Sequence, residues 1–562
     1  MADAPVLDKD PGPGGAAPQD AAREGPGVPR LPNGQGLPGA APGGPGEAPR
    51  GFAADDRPAD DLLDVLIVGA GISGIGAAWH LQDRCPGKRY LILEAREAIG
   101  GTWDLFRYPG IRSDSDMFTL GYMFRPWREQ KAIADGPSIW RYVNETAREG
   151  GILPHIRFRH RVIEAAFDSR RAAWTVTAET PEGVRVVSAR MLLMAAGYYS
   201  YENPWNPRIA GEERFRGPVF HAQLWPERLD YRGRRVVVIG SGATAVTLVP
   251  AMAEEAAHVT MLQRSPTWLI SRPSEDWIAN LLRRILPSSW AYALVRWKNI
   301  LWQNLVFKGA RRNPEKANRR LLELLRRELP EDQIEAHFHP RYNVWEQRLC
   351  LVPDSDFFRA MKAGKVEVVT DTIDHIDEDG IRLSSGRHLP ADIIVKATGL
   401  RLQVMGGARL TVDGRTVDPH DRWVWRGMML DGVPNLVYVF GYFNASWTLR
   451  ADLTAIWFCR LLNEMDARGA AIAVPVRPDR PLKEEPMLLS SGYVQRALSI
   501  LPRRATEDPW RDTQDYLADR RAILKGPLAG PELVLRGPEV LPVACDPASG
   551  RPVAAAVPEP AE

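Results

Sequence analysis

The chain has 562 residues, more than one ordinary domain and enough for two or three. Its 72 Lys and Arg against 70 Asp and Glu leave a net charge of +2, which argues against a nucleic-acid partner held by a large basic surface. No apolar run approaches the roughly 20 residues of a membrane-spanning helix, and Cys85, Cys350, Cys459 and Cys545 lie too far apart to suggest a disulfide scaffold, a zinc cluster or another metal site.

Residues 1–60 hold 12 Pro, 12 Gly and 12 Ala, and are expected to be a disordered tail. They lack the apolar core of a secretory signal, so the chain is expected in the cytoplasm. Ordered sequence begins at Asp61. The apolar run Asp64-Val65-Leu66-Ile67-Val68 leads into Gly69-Ala70-Gly71-Ile72-Ser73-Gly74, a helix to about Asp83, and a second apolar run from Tyr90 to Leu93 that ends on Glu94. About 170 residues later the pattern recurs. Arg235-Val236-Val237-Val238-Ile239 precedes Gly240-Ser241-Gly242-Ala243-Thr244-Ala245, then a helix and the strand Val259 to Leu262. The fold class is therefore α/β, with two Rossmann-like dinucleotide-binding domains.

In each turn the first glycine (Gly69, Gly240) permits the tight bend and the second (Gly71, Gly242) lets a pyrophosphate approach the helix N-terminus. The third position (Gly74, Ala245) packs helix on strand. The residue ending each second strand separates the ligands. Glu94, twenty positions after Gly74, suits the ribose hydroxyls of FAD. The second unit reads Gln263-Arg264-Ser265, and Arg264 offers a fork of donors for the 2′-phosphate of NADPH. An ordinary surface arginine is the plain alternative.

Residues 277–312 contain Trp277, Trp290, Trp297 and Trp302, seven Lys or Arg and no acid. The spacing predicts amphipathic helices interrupted at Pro287. Three readings stand: an insertion roofing the substrate pocket, a basic aromatic surface on the anionic inner face of the cell membrane, or, last, a local nucleic-acid contact.

Two longer patterns carry a resemblance. Gly100-Gly101-Thr102-Trp103, Tyr108-Pro109-Gly110 and Asp114 match [AG]GxWxxxx[FY]P[GM]xxxD, and Phe215, Gly217, His221 and Trp225-Pro226 match FxGxxxHxxxWP. Together they resemble the paired fingerprints of Baeyer–Villiger enzymes among the class B flavoprotein monooxygenases. Gly100 to Met117, Val236 to Val249 and Asn444 to Leu449 are similar to the ethionamide-activating branch of mycobacteria and related actinobacteria.

The resemblance implies an enzyme using FAD, NADPH and O₂ to convert ketones to esters or lactones through a C4a-peroxyflavin. Oxygenation of sulfur or nitrogen in thioethers, thioamides or amines is the alternative. It places Ser73 and Glu94 at FAD, Thr102, Trp103 and Asp114 along the flavin, and Arg112, Ser113 and Asp114 near the nicotinamide nucleotide. It also puts the backbone of Val162 at adenine. Gly240, Ser241, Gly242, Ala243, Thr244, Ala245 and Val246, with Arg264 and Ser265, form the implied NADPH site. Arg348 falls at the catalytic arginine, with Asp114 orienting it. Plainer roles stand beside these: core packing for Trp103, a helix cap at Ser115 for Asp114, a strand position for Val162, an ion pair for Arg348. His221 is expected to serve a linker, not to act as a base. The implied boundaries are 61–202 for the first part of the FAD domain and 203–375 for the NADPH domain, with its helical insertion at about 270–345. The second FAD part and C-terminal region take 376–538, and a loose tail 539–562.

Overall fold

The computed structural model describes residues 62–528 and 530–537, with a strand pair Ala544–Cys545 and Pro552–Val553. The expected tail at 1–60 lies outside the described residues, as does most of 539–562.

The strand Leu63–Val68 lies inside a nine-stranded sheet, parallel to Tyr90–Leu93 on one side and to the end of Gly183–Met194 on the other. Continuous burial of Val65 to Ile67 is what a strand covered on both faces requires. The helix Ile72–Arg84 follows the first glycine turn and packs on the long buried helix Trp447–Arg468. The C-terminal part of the chain thus returns to complete this unit, and Leu436–Tyr438 adds a parallel strand to its sheet.

A second, all-parallel sheet contains Val366–Thr370, His258–Gln263, Arg235–Ile239, Ile393–Lys396 and Val219–His221, in that order. Its helix Ala243–Met252 follows the second glycine turn. The expected boundary at 375 is too early. Ile393–Lys396 is a central strand of this sheet, and the antiparallel strands between 373 and 390 pack on its Val237 and Ile239 face. Three short strands there alternate too briefly to announce which unit they join.

Helices Trp277–Ile285, Ser288–Arg312, Pro314–Leu325 and Glu331–His337 form the insertion, and the break falls at Leu286 and Pro287. Buried Arg296 anchors it. Its Nη1 donates to the carbonyls of Phe118 at 2.8 Å and Gly121 at 2.7 Å, and its Nη2 lies 3.4 Å from Asp452.

Candidate active site

The first glycine turn and the start of the helix after the second, at Ala243, Thr244 and Thr247, line one cleft of about 440 Å³. At the first, Gly69 has φ +104°, and a β-carbon there would sit 2.7 Å from the Ala195 carbonyl oxygen. A β-carbon on Gly74 would approach the Gly69 carbonyl oxygen to 1.9 Å, so the helix start rests directly on the turn. Gly71 faces the cleft beside Gly101.

Glu94 is buried at the strand end. One carboxylate oxygen accepts from the Ala70 amide at 2.7 Å and the other from the Arg96 amide at 2.9 Å. Burial raises its pKa, and those two amides and Arg96 oppose the rise. Ser73 Oγ accepts from Trp447 Nε1 at 2.7 Å, a link to the distant helix that no local pattern signals.

The fingerprint segments work as joints. Gly110, at φ +75°, presses on the second nucleotide helix, where a β-carbon would meet Ala251 at 2.7 Å and the Thr247 carbonyl at 2.8 Å. Tyr108, two residues earlier, is buried and lines the cleft beside Thr244 of the same helix. Gly217 lies against the Asp392 carbonyl, at 2.2 Å from where a β-carbon would stand. Both glycines are required by close approach of backbone: Gly110 joins the first unit to the second nucleotide helix, and Gly217 lets two neighbouring strands of the second sheet start side by side.

His221 accepts the Gln223 amide at Nδ1, so its proton sits on Nε2 and donates to the Gly399 carbonyl at 3.1 Å. Burial lowers its pKa to about 4. The ring is therefore a neutral brace between the linker and the loop after Ile393–Lys396. Its stabilising contribution is complete above the unfolded pKa near 6.5 and is lost as pH falls towards 4. A loss of about 2 kcal/mol, allowing for solvent screening, is expected across that window. Urea titrations of the wild type and His221→Gln test it: the variant should lose this part of the pH slope.

Thr102, Trp103, Arg112, Ser113, Asp114, Val162, Ala243, Thr244 and Arg348 all line the cleft. Asp114 is open to the cavity but enclosed by protein around it, and that enclosure raises its pKa while Arg348 and Arg112 oppose the rise. It does not cap the next helix. Asp116 does, accepting from the Thr119 amide at 3.1 Å.

The expected direct pairing of Asp114 with Arg348 is corrected: no ion pair joins them among the described residues. Instead Arg348 Nη2 donates to Tyr198 Oη at 3.1 Å and its Nε to Tyr493 Oη at 3.3 Å. Tyr198 also hydrogen-bonds Tyr199 and stacks on Trp447, with ring centroids 4.9 Å apart. The phenols, Tyr198 first, raise the guanidinium pKa against burial, so Arg348 stays charged. Sequence reasoning missed this aromatic cradle because the two phenols stand 150 residues before and 145 residues after Arg348. The adjacent Tyr198-Tyr199-Ser200-Tyr201 run was its one local signal.

Arg112 Nη1 holds Asp356 at 2.5 Å, while its buried Nε and Nη2 have no hydrogen-bond partner among the described residues. Two unsatisfied guanidinium donors in the cleft lined by the first glycine turn and the start of the second nucleotide helix suit an anionic dinucleotide phosphate. The first turn, the Glu94 acceptor and the apolar wall around Trp103 fit FAD. At the second turn Gly240, Ser241, Gly242, Ala245 and Val246 lie outside the lining of the enclosed cleft, and Arg264 and Ser265 are exposed at its edge. Ser241 Oγ donates to the Ser265 carbonyl at 3.1 Å, which ties that edge to the turn. The insertion does not roof the cleft: no residue between 277 and 337 lines it.

Comparison with known proteins agrees with this architecture. The flavin-binding monooxygenase-like family matches residues 131–332, and an NAD(P)-binding Rossmann-like domain matches 67–145. The FAD-containing monooxygenase EthA of Mycobacterium tuberculosis is 54% identical over 467 residues, 83% of this chain and 96% of its own. The probable FAD-binding monooxygenase AlmA of Acinetobacter baylyi is 44% identical over 465 residues, 82% of this chain and 93% of its own. In fold, an oxidized steroid monooxygenase bound to NADP superposes with a TM-score of 0.69 at 24% identity, covering 84% of this chain and 99% of that one. A cyclohexanone monooxygenase gives 0.66 at 18% identity, covering 84% and 100%. The chain belongs to the family of FAD-containing, flavin-binding monooxygenases, and is an oxidoreductase.

Proposed function

We propose that this chain is a Baeyer–Villiger monooxygenase that holds FAD on the first glycine turn and NADPH on the second. It inserts one oxygen atom of O₂ beside a ketone carbonyl to give an ester or lactone. The balance is ketone, NADPH, a proton and O₂ giving ester, NADP⁺ and water. Bound FAD supplies the transfer of electrons from NADPH to O₂. The observation that carries the reading is Arg348: a permanently charged guanidinium, held by two phenols, on the wall of the same cleft as Trp103 and Asp114.

This chain's residues divide the work. Glu94 and the Gly69–Gly74 turn orient one nucleotide, and Arg112 neutralises phosphate with the donors it has free. Two of the Arg348 nitrogens bond phenols, while Nη1 and one Nη2 hydrogen remain for an anion or a polarised carbonyl oxygen. Asp114 lowers the net positive charge around Arg348 without occupying its donors. A thioether needs no carbonyl activation, so sulfoxidation is the competing outcome.

Product analysis decides the reading. Incubation with NADPH, O₂ and a panel of ketones should yield esters in step with NADPH consumed, and sulfides should turn over more slowly. Sulfoxides alone would replace the ketone reading, and hydrogen peroxide alone would end the monooxygenase one. For the coenzyme, Arg264→Ala should raise the KM for NADPH about 10- to 100-fold and leave that for NADH within about threefold. Equal effects on both coenzymes would remove Arg264 from the 2′-phosphate site.

A further inference from the structure

The helices Trp277–Ile285 and Ser288–Arg312 carry large apolar side chains on their outward as well as their inward face. On the first, Trp277, Leu281 and Ile285 stand four residues apart and face outward, with Trp277 72% exposed. On the second, Trp290, Leu294, Leu301, Trp302 and Leu305 form the outward stripe, and Trp290 and Leu305 are 68% and 66% exposed. The inward face carries Ala291, Tyr292, Val295 and Ile300, and also the charge of Arg296. A soluble surface helix keeps its outward face polar. Single exposed apolar residues are ordinary, but a continuous stripe over two helices marks an interaction surface.

Charge selects the occupant. The 277–312 segment has seven basic residues and no acid. Arg284, Arg311, Arg312, Lys316 and Arg319 are exposed on and just beyond it and form no ion pair among the described residues. A symmetric contact with a second copy would set this patch against itself and oppose like charges. An anionic bilayer has no such conflict: tryptophans suit its interface, leucines enter the acyl boundary, and arginines reach the headgroups. Among the described residues no helix is long and apolar enough to cross a membrane, so the contact lies in the plane of the surface.

We infer that the outward face of these two helices is a docking surface for an anionic lipid bilayer. It holds the enzyme peripherally, with the helix Ser288–Arg312 lying in the interface. The rigid coupling runs inward from there. Asn299 Nδ2 and Gln303 Nε2 donate to Asp116 at 2.9 and 2.8 Å, and Asp116 ends the segment that begins at Arg112 in the cleft.

The test uses the full-length, flavin-loaded chain with phosphatidylglycerol-containing or purely phosphatidylcholine vesicles, read by co-sedimentation at low and high salt. At low salt, binding to the anionic vesicles should exceed binding to the neutral ones by about tenfold. The triple variant Trp290→Ser, Trp302→Ser, Leu305→Ser should lower it by about tenfold or more. These side chains touch no part of the cleft, so NADPH oxidation in solution and the melting curve should match wild type and show that the variant is folded. Failure of the wild type to bind any vesicle at either salt overturns the inference, as does unchanged binding by the variant. Light scattering supplies the remaining outcome. A dimer that forms without lipid and is lost in the variant makes this a self-interface and also overturns it.

Discussion

Arg348→Ala is expected to bind flavin and accept hydride from NADPH at close to normal rates, yet form ester about 100- to 1,000-fold more slowly. The consumed NADPH should then appear as hydrogen peroxide. The expectation follows from where the guanidinium stands. It lies on the cleft wall, outside both glycine turns, so its loss leaves nucleotide binding intact. What is lost is a fixed positive charge held by protein on the cleft wall, where electrostatic stabilisation is worth more than in bulk water. Arg348→Lys restores the charge without the planar fork, and it cannot satisfy Tyr198 and Tyr493 while also reaching substrate. It should therefore recover little activity. Tyr493→Phe removes the acceptor at Nε and should slow ester formation by about tenfold, with the KM for NADPH unchanged. Rapid-reaction measurement of flavin reduction beside chromatographic assay of ester separates these steps. Normal ester formation by Arg348→Ala would remove the residue from the mechanism.

Both nucleotide folds were legible because their signals are local. A strand, a glycine turn and a helix lie within about 20 residues, so Gly69 to Gly74 and Gly240 to Ala245 declare themselves in sequence. The fingerprints were legible as patterns, but their physical reason was not. Gly110 must be glycine because it meets Thr247 and Ala251, and Gly217 because it meets Asp392, across separations of 137 to 175 residues. The partners of Arg348 were hidden in the same way. Asp114 was the expected partner because the resemblance puts an acid there to balance the charge of Arg348, but Tyr198 and Tyr493 hold the guanidinium. The insertion shows the converse limit. Periodicity identified its helices and the break at Pro287 but could not say which face turns inward. That choice rests on buried Arg296, which finds three carbonyls on the segment from Phe118 to Gly121.

Gly71→Ala and Gly74→Ala, three residues apart, are expected to abolish flavin retention by different routes. At Gly71 the backbone has φ −77° and ψ −172°, which any residue adopts, and the nearest atom to a new β-carbon is Gly101 Cα at 3.6 Å. The protein has room for the methyl; a pyrophosphate against the helix N-terminus does not. Gly71→Ala should therefore purify with less than about a tenth of the normal flavin, while its apoprotein melts like wild-type apoprotein. At Gly74 the β-carbon would stand 1.9 Å from the Gly69 carbonyl oxygen, and both clashing parts are backbone. The helix Ile72–Arg84 must then lift from the turn, which disturbs its packing on Trp447–Arg468 and the Trp447 bond to Ser73. Gly74→Ala should lose flavin and also destabilise the apoprotein by at least about 2 kcal/mol. Flavin absorbance of the purified proteins, set beside urea unfolding of the apoproteins, distinguishes the two. A flavin-replete Gly71→Ala would move the pyrophosphate away from this turn. A Gly74→Ala apoprotein as stable as wild type would show that the turn can yield where its contacts say it cannot.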